Sequence, residues 1–428
     1  MEDKMLEEAS SLIKKCSFCD SKRLVQILDL GNVALAGAFL SSNQFPNEKK
    51  YPLRVSFCEE CFAVQVIDRI SGNLLFDDYF YFSSSIKTLR DHSYDYAVEL
   101  REKFLNKPNA SVLEFGCNDG ILLQPLAELG VKCIVGIDPA KNVVSTISDN
   151  RINTINAFFT EDVAENILDT YGKMDVVVAN NVYAHISDIQ GVTRATKRVL
   201  SEDGVFIFEV HYLGKVLEEI QYDMIYHEHI YYYSLLSAIN HFERYGMMVF
   251  DVKPISIHAG SIRFYVCKED SLHSKKSDAV IAMIQEERNR GYDRCETFGV
   301  FSHQLEQHRE DLIKLLTKLR RLDKKIVGYG ASGRANTIIQ YCGITEDHLD
   351  YIVDDSPVKQ GFYTPGSHFE IRPSSILLGK DAPDYVLVFA WSFFDEICKK
   401  NHEYLARGGK MILPLPTIKV FPIDETIL

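Results

Sequence analysis

Apolar runs alternate with amphipathic segments between residues 111 and 210, and this alternation predicts a parallel α/β sheet. The run "SVLEF" ends at a glycine-rich turn, a helical segment follows, and "CIVGID" closes at Asp138. Two more apolar runs, "MDVVVAN" and "VFIFEV", come further along the chain. Strands that alternate with helices form a doubly wound sheet, whose ligands bind at the carboxyl ends of the strands. We therefore expect an α/β fold with a ligand site at those ends.

A second series of apolar runs predicts another α/β unit near the carboxyl end. "KKIVGYG" leads through a glycine-rich turn into a helix, and "DYIVDD", "DYVLVFAW" and "KMILPLP" supply further strands. The segment 255–270 alternates apolar and polar residues as a strand does, and the charged residues after it have a helical pattern. We therefore divide the chain into an N-terminal domain (1–75), a first α/β domain (76–272), a helical connector (273–322) and a second, Rossmann-like α/β domain (323–428).

Two cysteine pairs in the small N-terminal domain predict a zinc site. Cys16 and Cys19 form one CxxC pair, and Cys58 and Cys61 form another. Strand-like residues flank each pair, as in a zinc ribbon. The pairs supply four thiolate ligands for tetrahedral zinc, and a site closed by four protein ligands is structural rather than catalytic. Four unrelated cysteines are the alternative interpretation.

Composition and charge narrow the range of partners. The 428 residues carry a net charge of −13, whereas nucleic acids and anionic membranes are bound by basic surfaces. The sequence opens without a signal-peptide pattern, and no run of 18 apolar residues predicts a membrane span. We therefore expect a cytoplasmic, monomeric protein with no nucleic-acid or membrane partner. A local basic pocket for a phosphate group is compatible with this charge.

The turn after the first strand of residues 111–210 has the pattern of a cofactor site. Its spacing, E-x-G-x-x-x-G, leaves more room than the G-x-G-x-x-G of dinucleotide sites, and its glycines let the backbone approach a ligand. The acid that closes the next strand is placed to accept hydrogen bonds from ribose hydroxyls. The turn resembles the S-adenosylmethionine (SAM) site of class I methyltransferases; another nucleotide site or an empty turn is the alternative. The candidate cofactor residues are Glu114, Gly116, Asn118, Gly120 and Asp138.

The second glycine-rich turn, Gly328 to Gly333, fits G-x-G-x-x-G. Taken alone, this pattern indicates NAD, although a single such match is a weak signal. A helix N-terminus lined by small residues also suits another phosphate-bearing ligand. Because a cofactor site is already predicted upstream, we favour a phosphate-bearing substrate at this turn.

Residues 222–234 read "YDMIYHEHIYYYS" and carry two histidines on either side of a glutamate. Histidines at i and i+2 share one face of a strand or an extended turn, but not of a helix. The H-E-x-x-H spacing of a catalytic zinc site is absent, which argues against a metal. Two interpretations remain, a buried hydrogen-bonded cluster under aromatic cover and a site for acid–base chemistry, to which histidine is suited near neutral pH.

The order of these parts resembles a known family over nearly the whole chain. The cysteine pairs are followed by "LEFGCNDG", "VYAHI", "YHEH", "HAGSIRFYV", "GYGASGRANT" and "DDSPVKQGFYTPG". Together they resemble the bacterial sugar C-methyltransferases that methylate carbon 3 of nucleotide-linked 4-keto-deoxysugars. The resemblance implies that the zinc domain caps the site, that the middle domain binds SAM, and that the C-terminal domain holds the sugar nucleotide without binding NAD. It also implies deprotonation of carbon 3 of a 4-keto-6-deoxyhexose and methylation of the enolate, in deoxysugar biosynthesis.

The same resemblance assigns catalytic roles. It makes His229 the base and Glu228 a group that orients or polarises the site. Tyr226 would donate a hydrogen bond to the sugar or the enolate, and His185 would lie near the reacting carbons. A binding protein without activity would have no need of these groups at strand ends around one crevice, and an NAD-linked enzyme would have no need of the first turn. Those two functions are the alternatives.

A tyrosine of the segment "DDYFYFSSS" also reaches the site in that family. Tyr79 and Tyr81 both fit, and we assign Tyr81 to catalysis and Tyr79 to substrate binding. Arginine is suited to a diphosphate, although a solvated surface charge is the alternative for each basic residue. Ala259 stands where the family pattern has a second glycine. The other candidate substrate ligands are His258, Arg263, Ser332, Arg334, Asn336 and Lys359.

Overall fold

The N-terminal segment folds into short antiparallel strands around the two cysteine pairs. The computed structural model describes residues 10–76 and 82–423. Strand Lys50–Cys58 alternates exposed and buried residues at its start, which is the pattern of a half-buried sheet. The elements of this unit are β1 (Ser10–Leu12), β2 (Leu24–Ala34), β3 (Lys50–Cys58), β4 (Val64–Val66), β5 (Asp68–Ile70) and α1 (Gly72–Phe76).

The first α/β unit is built on a seven-stranded sheet. Its strands are β6 (Ser111–Phe115), β7 (Cys133–Ile137), β8 (Ile152–Ile155), β9 (Met174–Asn180), β10 (Leu200–His211), β12 (Met247–Ile255) and β13 (Ser261–Lys268). Between β10 and β12 in the chain, β11 (Tyr231–Tyr232) pairs with β4 of the N-terminal sheet. Its helices are α2 (Lys87–Lys103), α3 (Leu123–Glu128), α4 (Lys141–Val144), α5 (Glu161–Tyr171), α6 (Ile189–Val199), α7 (Leu213–Glu218) and α8 (Leu235–Glu243).

The strand order of this sheet places the predicted cofactor turn near its middle. The order is β12-β13-β10-β9-β6-β7-β8, and the last five strands pair in parallel. β6 is buried along its whole length because helices cover both faces of a parallel sheet. Its carboxyl end, between β9 and β7, is the point where the chain reverses the order of winding. Such a switch point is where open α/β sheets bind ligands.

The segment 255–270 is not one continuous strand. It begins at the end of one strand, β12, and continues after a turn into a second strand, β13. β12 ends at Ile255, and β13 returns antiparallel to both β12 and β10. Between them His258, Ala259 and Gly260 all adopt positive φ angles of 53°, 66° and 117°. The alternation of apolar and polar residues did not predict this reversal of the chain direction. The residue at the centre of the reversal is alanine, which seldom adopts a positive φ angle.

Two helices and a six-stranded sheet complete the chain. The helices α9 (Asp278–Asn289) and α10 (Cys295–Arg321) follow β13. The sheet has the order β16-β15-β14-β17-β18-β19, parallel except for its last strand. Its elements are β14 (Ile326–Tyr329), α11 (Gly333–Cys342), β15 (Ile352–Val353), β16 (Ile371–Arg372), β17 (Tyr385–Val388), α12 (Phe394–Lys400), α13 (His402–Ala406), β18 (Lys410–Leu413) and β19 (Lys419–Phe421).

Helix α10 packs one face against the rest of the molecule. Its buried face carries Phe298, Leu305, Leu312 and Leu316, spaced as one stripe of a helix requires. These side chains share a hydrophobic cluster with residues of β2, β3 and the C-terminal sheet. The three units are therefore held against one another by a common core. Within the described residues, none of the helices has the length and apolar character that crossing a bilayer requires.

Candidate active site

The four cysteines of the two pairs converge as predicted. The Sγ atoms of Cys16 and Cys61 lie 3.5 Å apart, those of Cys19 and Cys58 lie 3.6 Å apart, and all four lie within 4.8 Å of one another. Tetrahedral zinc with Zn–S bonds of about 2.3 Å requires sulfur atoms about 3.8 Å apart. The donor set therefore fits zinc, and because it is complete and buried, the metal there is structural.

The zinc site is linked by packing to the segment that carries "YHEH". The ring of Phe18, inside the first cysteine pair, lies 5.0 Å from the ring of Tyr231 and 4.6 Å from that of His241. Tyr231 belongs to β11, which pairs antiparallel with β4 just after the second pair. The metal therefore fixes the sheet on which the histidine segment rests.

The first glycine-rich turn leaves acceptor atoms without partners. Glu114 ends β6, and its Oε1 accepts a hydrogen bond of 3.0 Å from Asn180 at the end of β9. Among the described residues, Glu114 Oε2 and Asn180 Oδ1 are buried and have no hydrogen-bond partner. Burial raises the pKa of Glu114 well above its ordinary value. Two unsatisfied acceptors fit a ligand that brings hydrogen-bond donors and positive charge, as the methionine ammonium of SAM does.

The backbone of this turn is shaped for close approach to a ligand. Gly116 has a φ of 69°, and a Cβ atom there would lie 2.2 Å from Cγ2 of Val182. Asp138 accepts hydrogen bonds of 2.8 Å from the amides of Asn118 and Ala140, so it ties the turn to the end of β7. Each of its oxygens keeps a lone pair for a ribose hydroxyl. These residues fit SAM, which supplies an electrophilic methyl group when it is bound.

The segment after residues 77–81 lies against the same turn. The amide of Ser83 donates to Oδ1 of Asn118 over 3.0 Å, and Ser84 donates to Asp119 through its amide and its hydroxyl. Tyr79 and Tyr81 fall outside the described residues, and their roles stay predictions. Gly120, with a φ of 78°, packs against Ile147 at the rear of the turn.

Tyr226 and His229 form a hydrogen-bonded pair. Nδ1 of His229 lies 2.7 Å from the carbonyl oxygen of Met224, and its Nε2 lies 2.7 Å from the hydroxyl of Tyr226. Because a carbonyl only accepts, Nδ1 carries the hydrogen, and Nε2 accepts the hydroxyl hydrogen of Tyr226. The pair therefore presents an unprotonated imidazole nitrogen and a phenol, which are the groups of general acid–base chemistry.

Burial shifts the pKa values of His229 and of the groups around this pair toward the neutral forms. The rings of His185 and His229 lie 5.0 Å apart. Burial lowers the pKa of His185 to about 4, and burial and then the charge of His185 lower the pKa of His229 well below its ordinary value. Burial raises the pKa of Glu228 to about 7, and its Oε1 lies 3.5 Å from where a Cβ of Gly37 would stand. Glu228 therefore faces the N-terminal unit, on the other side of the pair.

The two histidines of "YHEH" do not share one environment. Residues 226–229 form a turn rather than a strand. Nε2 of His227 donates to the carbonyl of Pro52 over 2.9 Å, which joins the turn to β3, whereas His229 faces Tyr226 and His185. The prediction of a shared face is therefore wrong, because the turn rotates the side chains apart. His227 is a structural link, and His229 lies in the crevice.

The second glycine-rich turn also meets this pair. A Cβ at Gly333 would lie 3.3 Å from Cβ of Ala36 and 3.6 Å from the Tyr226 ring. Arg334 donates to Asp223 over 2.7 Å and lies over the ring of Trp391, while its Nη2 is buried without a partner among the described residues. The N-terminal, middle and C-terminal units therefore surround one crevice at Tyr226.

The other predicted substrate ligands of the C-terminal unit have contacts of their own. Ser332 caps α11, and Asn336 donates to the carbonyl of Ala34 over 3.4 Å, while its Oδ1 is buried without a partner in the described chain. Lys359 donates to the carbonyl of Ala331 over 2.6 Å. These residues line or brace the turn, and their contact with a substrate stays a prediction.

Arg263 lies elsewhere than the resemblance implied. Its Nε donates to Glu209 over 2.6 Å, its Nη1 donates to Glu99 over 3.0 Å, and its guanidinium lies over the ring of Tyr96. The side chain is 2% exposed. Its charge is therefore engaged by carboxylates inside the sheet rather than left for a phosphate.

Three histidines complete the crevice beyond the "YHEH" turn, and only His258 among them was a candidate. Burial and the charge of Arg334 lower the pKa of His258 to about 4 and that of His211 to about 3. His92 on α2 is bonded over 2.9 Å to Glu209, the carboxylate that Arg263 holds. His211 directly follows the run "VFIFEV", and the rule that ligands bind at strand ends places it near the crevice, although it was not among the candidate residues. His92 gave no local signal.

Family models match three successive parts of the chain. A zinc binding domain matches residues 16–76, a methyltransferase domain matches residues 89–251, and a C-methyltransferase C-terminal domain matches residues 256–416. The protein C-methyltransferase NovU of Streptomyces niveus is 31% identical over 416 residues, which are 97% of this chain and 98% of NovU. The chain belongs to the C-methyltransferase family. This C-methyltransferase thus combines a zinc-binding domain with a class I SAM-dependent methyltransferase domain, as the resemblance implied.

Other proteins match only a part of the C-methyltransferase chain. The ubiquinone biosynthesis O-methyltransferase of Azorhizobium caulinodans is 31% identical over 97 residues, 22% of this chain and 38% of that protein. The crystal structure of magnesium protoporphyrin IX methyltransferase from Synechocystis PCC 6803 with bound SAM covers 42% of this chain and 79% of its own, at 14% identity and a TM-score of 0.32.

Proposed function

We propose that this C-methyltransferase acts on carbon 3 of a nucleotide-linked 4-keto-6-deoxyhexose, in deoxysugar biosynthesis. The observation that carries the proposal is the Tyr226–His229 pair, at 2.7 Å, in the crevice where the three units meet. An unprotonated imidazole nitrogen beside a phenol suits a substrate that must lose a proton from carbon while the oxygen of a neighbouring ketone gains negative charge.

The proposed chemistry divides between the two side chains. Nε2 of His229 takes the proton from carbon 3 when the hydroxyl of Tyr226 turns from it to the ketone oxygen at carbon 4. The electrons of the broken C–H bond form the enolate, whose oxygen Tyr226 stabilises. Carbon 3 then forms its bond to the methyl group as the methyl–sulfur bond of SAM breaks. Burial by itself disfavours the imidazolium form of His229, but the negative charge of the enolate that forms beside it stabilises that form.

Charge in the crevice supports a nucleotide-linked substrate. Nη2 of Arg334 is a buried donor without a partner among the described residues, next to the N-terminus of α11. A guanidinium beside a helix N-terminus suits the phosphates of a nucleotide. The same charge lowers the pKa of His211, His229 and His258, after burial. The charge of Arg334 therefore favours the neutral form of these imidazoles, and an imidazole must be neutral before it can accept a proton.

The contacts of the second turn disfavour the NAD alternative. Asp354 follows β15, where a dinucleotide fold would bind ribose. Its oxygens accept from the amides of Ala331 and Ser356 over 2.8 Å each, as those of Asp138 do at the first turn, but its Oδ2 also lies 3.4 Å from Nζ of Lys359, which engages it with a positive charge. The N-terminal unit also crosses this turn, with Ala36 against Gly333. An NAD pyrophosphate seated on Gly333 would need that space, whereas the phosphates of the proposed substrate would be bound by the guanidinium of Arg334.

Methyl transfer and hydrogen exchange test the proposal together. The protein would be incubated in heavy water with TDP-, GDP- and CDP-linked 4-keto-6-deoxyglucose, with and without SAM, and the products weighed by mass spectrometry. We expect one nucleotide sugar to gain a methyl group and to exchange its carbon-3 hydrogen even without SAM. His229→Gln should lose both, whereas His227→Gln, changed in the same turn, should keep both. Absence of exchange and of methyl gain on every sugar would reject the proposed substrate class.

A further inference from the structure

His211 ends β10 in the crevice and has no part in the mechanism above. Arg334 and His258 both act on its charge, and its own charge acts on His229. Its Nδ1 is buried and has no hydrogen-bond partner among the described residues. A buried polar atom without a partner costs free energy of order 1–3 kcal/mol, so the atom calls for a ligand or a water.

The hydrogen-bond network behind His211 fixes which of its nitrogens carries the hydrogen. Gln221 is fully buried, and its Nε2 donates to Glu219 over 2.8 Å and to the carbonyl of Ala259 over 2.9 Å. Neither of these groups can donate, so the amide can have only this orientation. Its Oε1 therefore accepts the bond of 2.7 Å from Nε2 of His211. Nε2 carries the hydrogen, and Nδ1 has an open lone pair.

The hydrogen-bond partner of His211 indicates that the imidazole acts as a hydrogen-bond acceptor and not as a base. A carboxylate behind an imidazole stabilises the protonated form, but the Gln221 amide is neutral. Burial and then the charge of Arg334 lower the pKa of His211 to about 3. His211 is therefore neutral throughout the physiological range and accepts hydrogen bonds without taking the proton. The positive charge of Arg334 also disfavours an ammonium as its partner, which leaves a neutral donor.

We propose that Nδ1 of His211 accepts a hydrogen bond from a hydroxyl group of the hexose ring and so selects substrates that carry that hydroxyl. The inference rests on the proposed function, since it concerns the sugar in the same crevice. Lys215 bonds Glu219 over 2.8 Å, so Lys215, Glu219 and Gln221 are positioning residues that hold the imidazole in one tautomer. An analogue without the hydroxyl would leave the nitrogen unpaired, which is the kind of defect that gives strong discrimination.

Two variants of His211 separate the role of Nδ1 as an acceptor from the hydrogen bond between Nε2 and Gln221. In His211→Gln, the longer amide can reach Gln221 but leaves the position of Nδ1 empty. In His211→Asn, the amide oxygen can take the position of Nδ1. With the sugar that the wild type uses, we expect His211→Gln to raise KM by about 10-fold or more with a smaller change in kcat, and His211→Asn to recover part of the loss. Melting temperature and SAM binding check the fold of both.

The hydroxyl that binds Nδ1 is identified as the one whose removal from the substrate abolishes the KM penalty of His211→Gln. The nucleotide sugars lacking the hydroxyl at carbon 2 or at carbon 3 would be compared with the parent. The penalty of His211→Gln should vanish on one of them and persist on the other. An equal penalty on every sugar, or a KM that His211→Gln leaves unchanged, would overturn the inference and leave a bound water as the partner of Nδ1, while methyl transfer by the wild type would keep the proposed function standing.

Nitrogen NMR of histidine-labelled protein reports on His211 without turnover. The signals that His211→Gln deletes should show a protonated Nε2 and an unprotonated Nδ1 from pH 8 to pH 5, and Nδ1 should shift when the parent nucleotide sugar binds. Protonation of the ring above pH 5, or no shift on binding, would contradict the inference. A shift on binding without any methyl transfer would instead reject the proposed function and keep the acceptor role.

Discussion

The two glycine-rich turns of this C-methyltransferase differ in which buried polar groups have no hydrogen-bond partner among the described residues. At the first turn, Glu114 Oε2 and Asn180 Oδ1 are buried acceptors without partners among the described residues. At the second turn, Asp354, which stands where Asp138 stands at the first turn, accepts backbone hydrogen bonds from Ala331 and Ser356. What remains open there is Nη2 of Arg334, a cationic donor.

This difference teaches that similar turns can select ligands of opposite charge. Acceptors at the first turn suit the cationic methionine group of SAM, whereas a guanidinium at the second turn suits an anion such as a phosphate. Both turns have a glycine of positive φ that follows a strand, at Gly116 and Gly330. The backbone pattern therefore predicts that a ligand binds, and the side chains at neighbouring strand ends decide which one.

The largest test disrupts the N-terminal unit, whose Ala36 lies against the second turn. Cys58→Ser should lose zinc and unpin β4, on which β11 and the "YHEH" turn rest. We expect turnover to fall by at least about 100-fold, because the binding free energy of a structural zinc is folding free energy. SAM binding should survive within about 10-fold, since the first turn stands on its own sheet. Metal analysis and calorimetric SAM titration measure the two effects.

Cys398→Ser is the matched control for that variant, because Cys398 lies outside the cluster of four thiols. It should keep its zinc and its activity. Equal loss of SAM binding and turnover in Cys58→Ser would show that the first turn also depends on the zinc unit, and the contrast between the turns would fail.

A methyl group added to each turn gives the next largest effect. In Gly116→Ala, the new Cβ would lie 2.2 Å from Val182, at a φ of 69°. We expect the Kd for SAM to rise by at least about 10-fold, because the clash distorts the backbone that approaches the cofactor. In Gly330→Ala, with a φ of 94°, the new Cβ would lie 3.0 Å from Ala390. That variant should lose stability but bind SAM within about twofold of the wild type.

The isosteric variant Glu114→Gln tests the charge of the first turn and should act in two directions. The raised pKa of Glu114 means that ionisation opposes folding, so this group makes stability fall as pH rises above about 4.5. Glu114→Gln should therefore raise the melting temperature of the cofactor-free protein at neutral pH. It should also weaken SAM binding by about 10-fold or more, since a hydrogen bond to a charged group is lost.

The control at the second turn is Asp354→Asn, in the acid that stands where Asp138 stands at the first turn. It should lower stability, because a carboxylate that holds two amides is replaced, and should leave SAM binding unchanged. If Asp354→Asn weakened SAM binding as much as Glu114→Gln, the two acids would not have the separate roles assigned to them.

The smallest expected effect concerns Glu228, which faces Gly37 between the two turns. Burial raises its pKa to about 7, so the carboxylate is mostly protonated below that pH and ionised above it. If the ionised form accepts hydrogen bonds from the sugar, kcat/KM should rise with pH through about 7, by a few-fold, and Glu228→Gln should remove this limb. A pH profile of Glu228→Gln that kept the limb would assign it to another group.

Much of this molecule could be predicted from local pattern. Zinc followed from two CxxC pairs, because thiolate type and spacing are properties of neighbouring residues. The prediction that the first turn binds SAM rests on a strand, two glycines and an acid, since those residues shape the backbone where they stand. The modules in their order predicted the family, which the match to NovU confirmed.

Other features depended on contacts between distant parts of the chain. The structure separates His227, which bonds Pro52, from His229, because a turn replaces the expected extended segment. It pairs Arg263 with Glu209 and Glu99, which lie 54 and 164 residues away along the chain. Neither partner could be chosen from the sequence, since buried charges are satisfied by whichever groups the packing brings near them.

The sequence by itself thus determined the three units, the metal ligands and the cofactor turn, because strand, turn and ligand signals act over a few residues. Only the tertiary structure decided which side chains meet in the crevice. Tyr226 lies at the second turn because β11, just after it in the chain, pairs with the N-terminal sheet. His211 presents Nδ1 because Gln221 is held by Glu219 and Ala259. Hydrogen-bond direction and charge are settled by neighbours in space, and those are fixed only when the units pack.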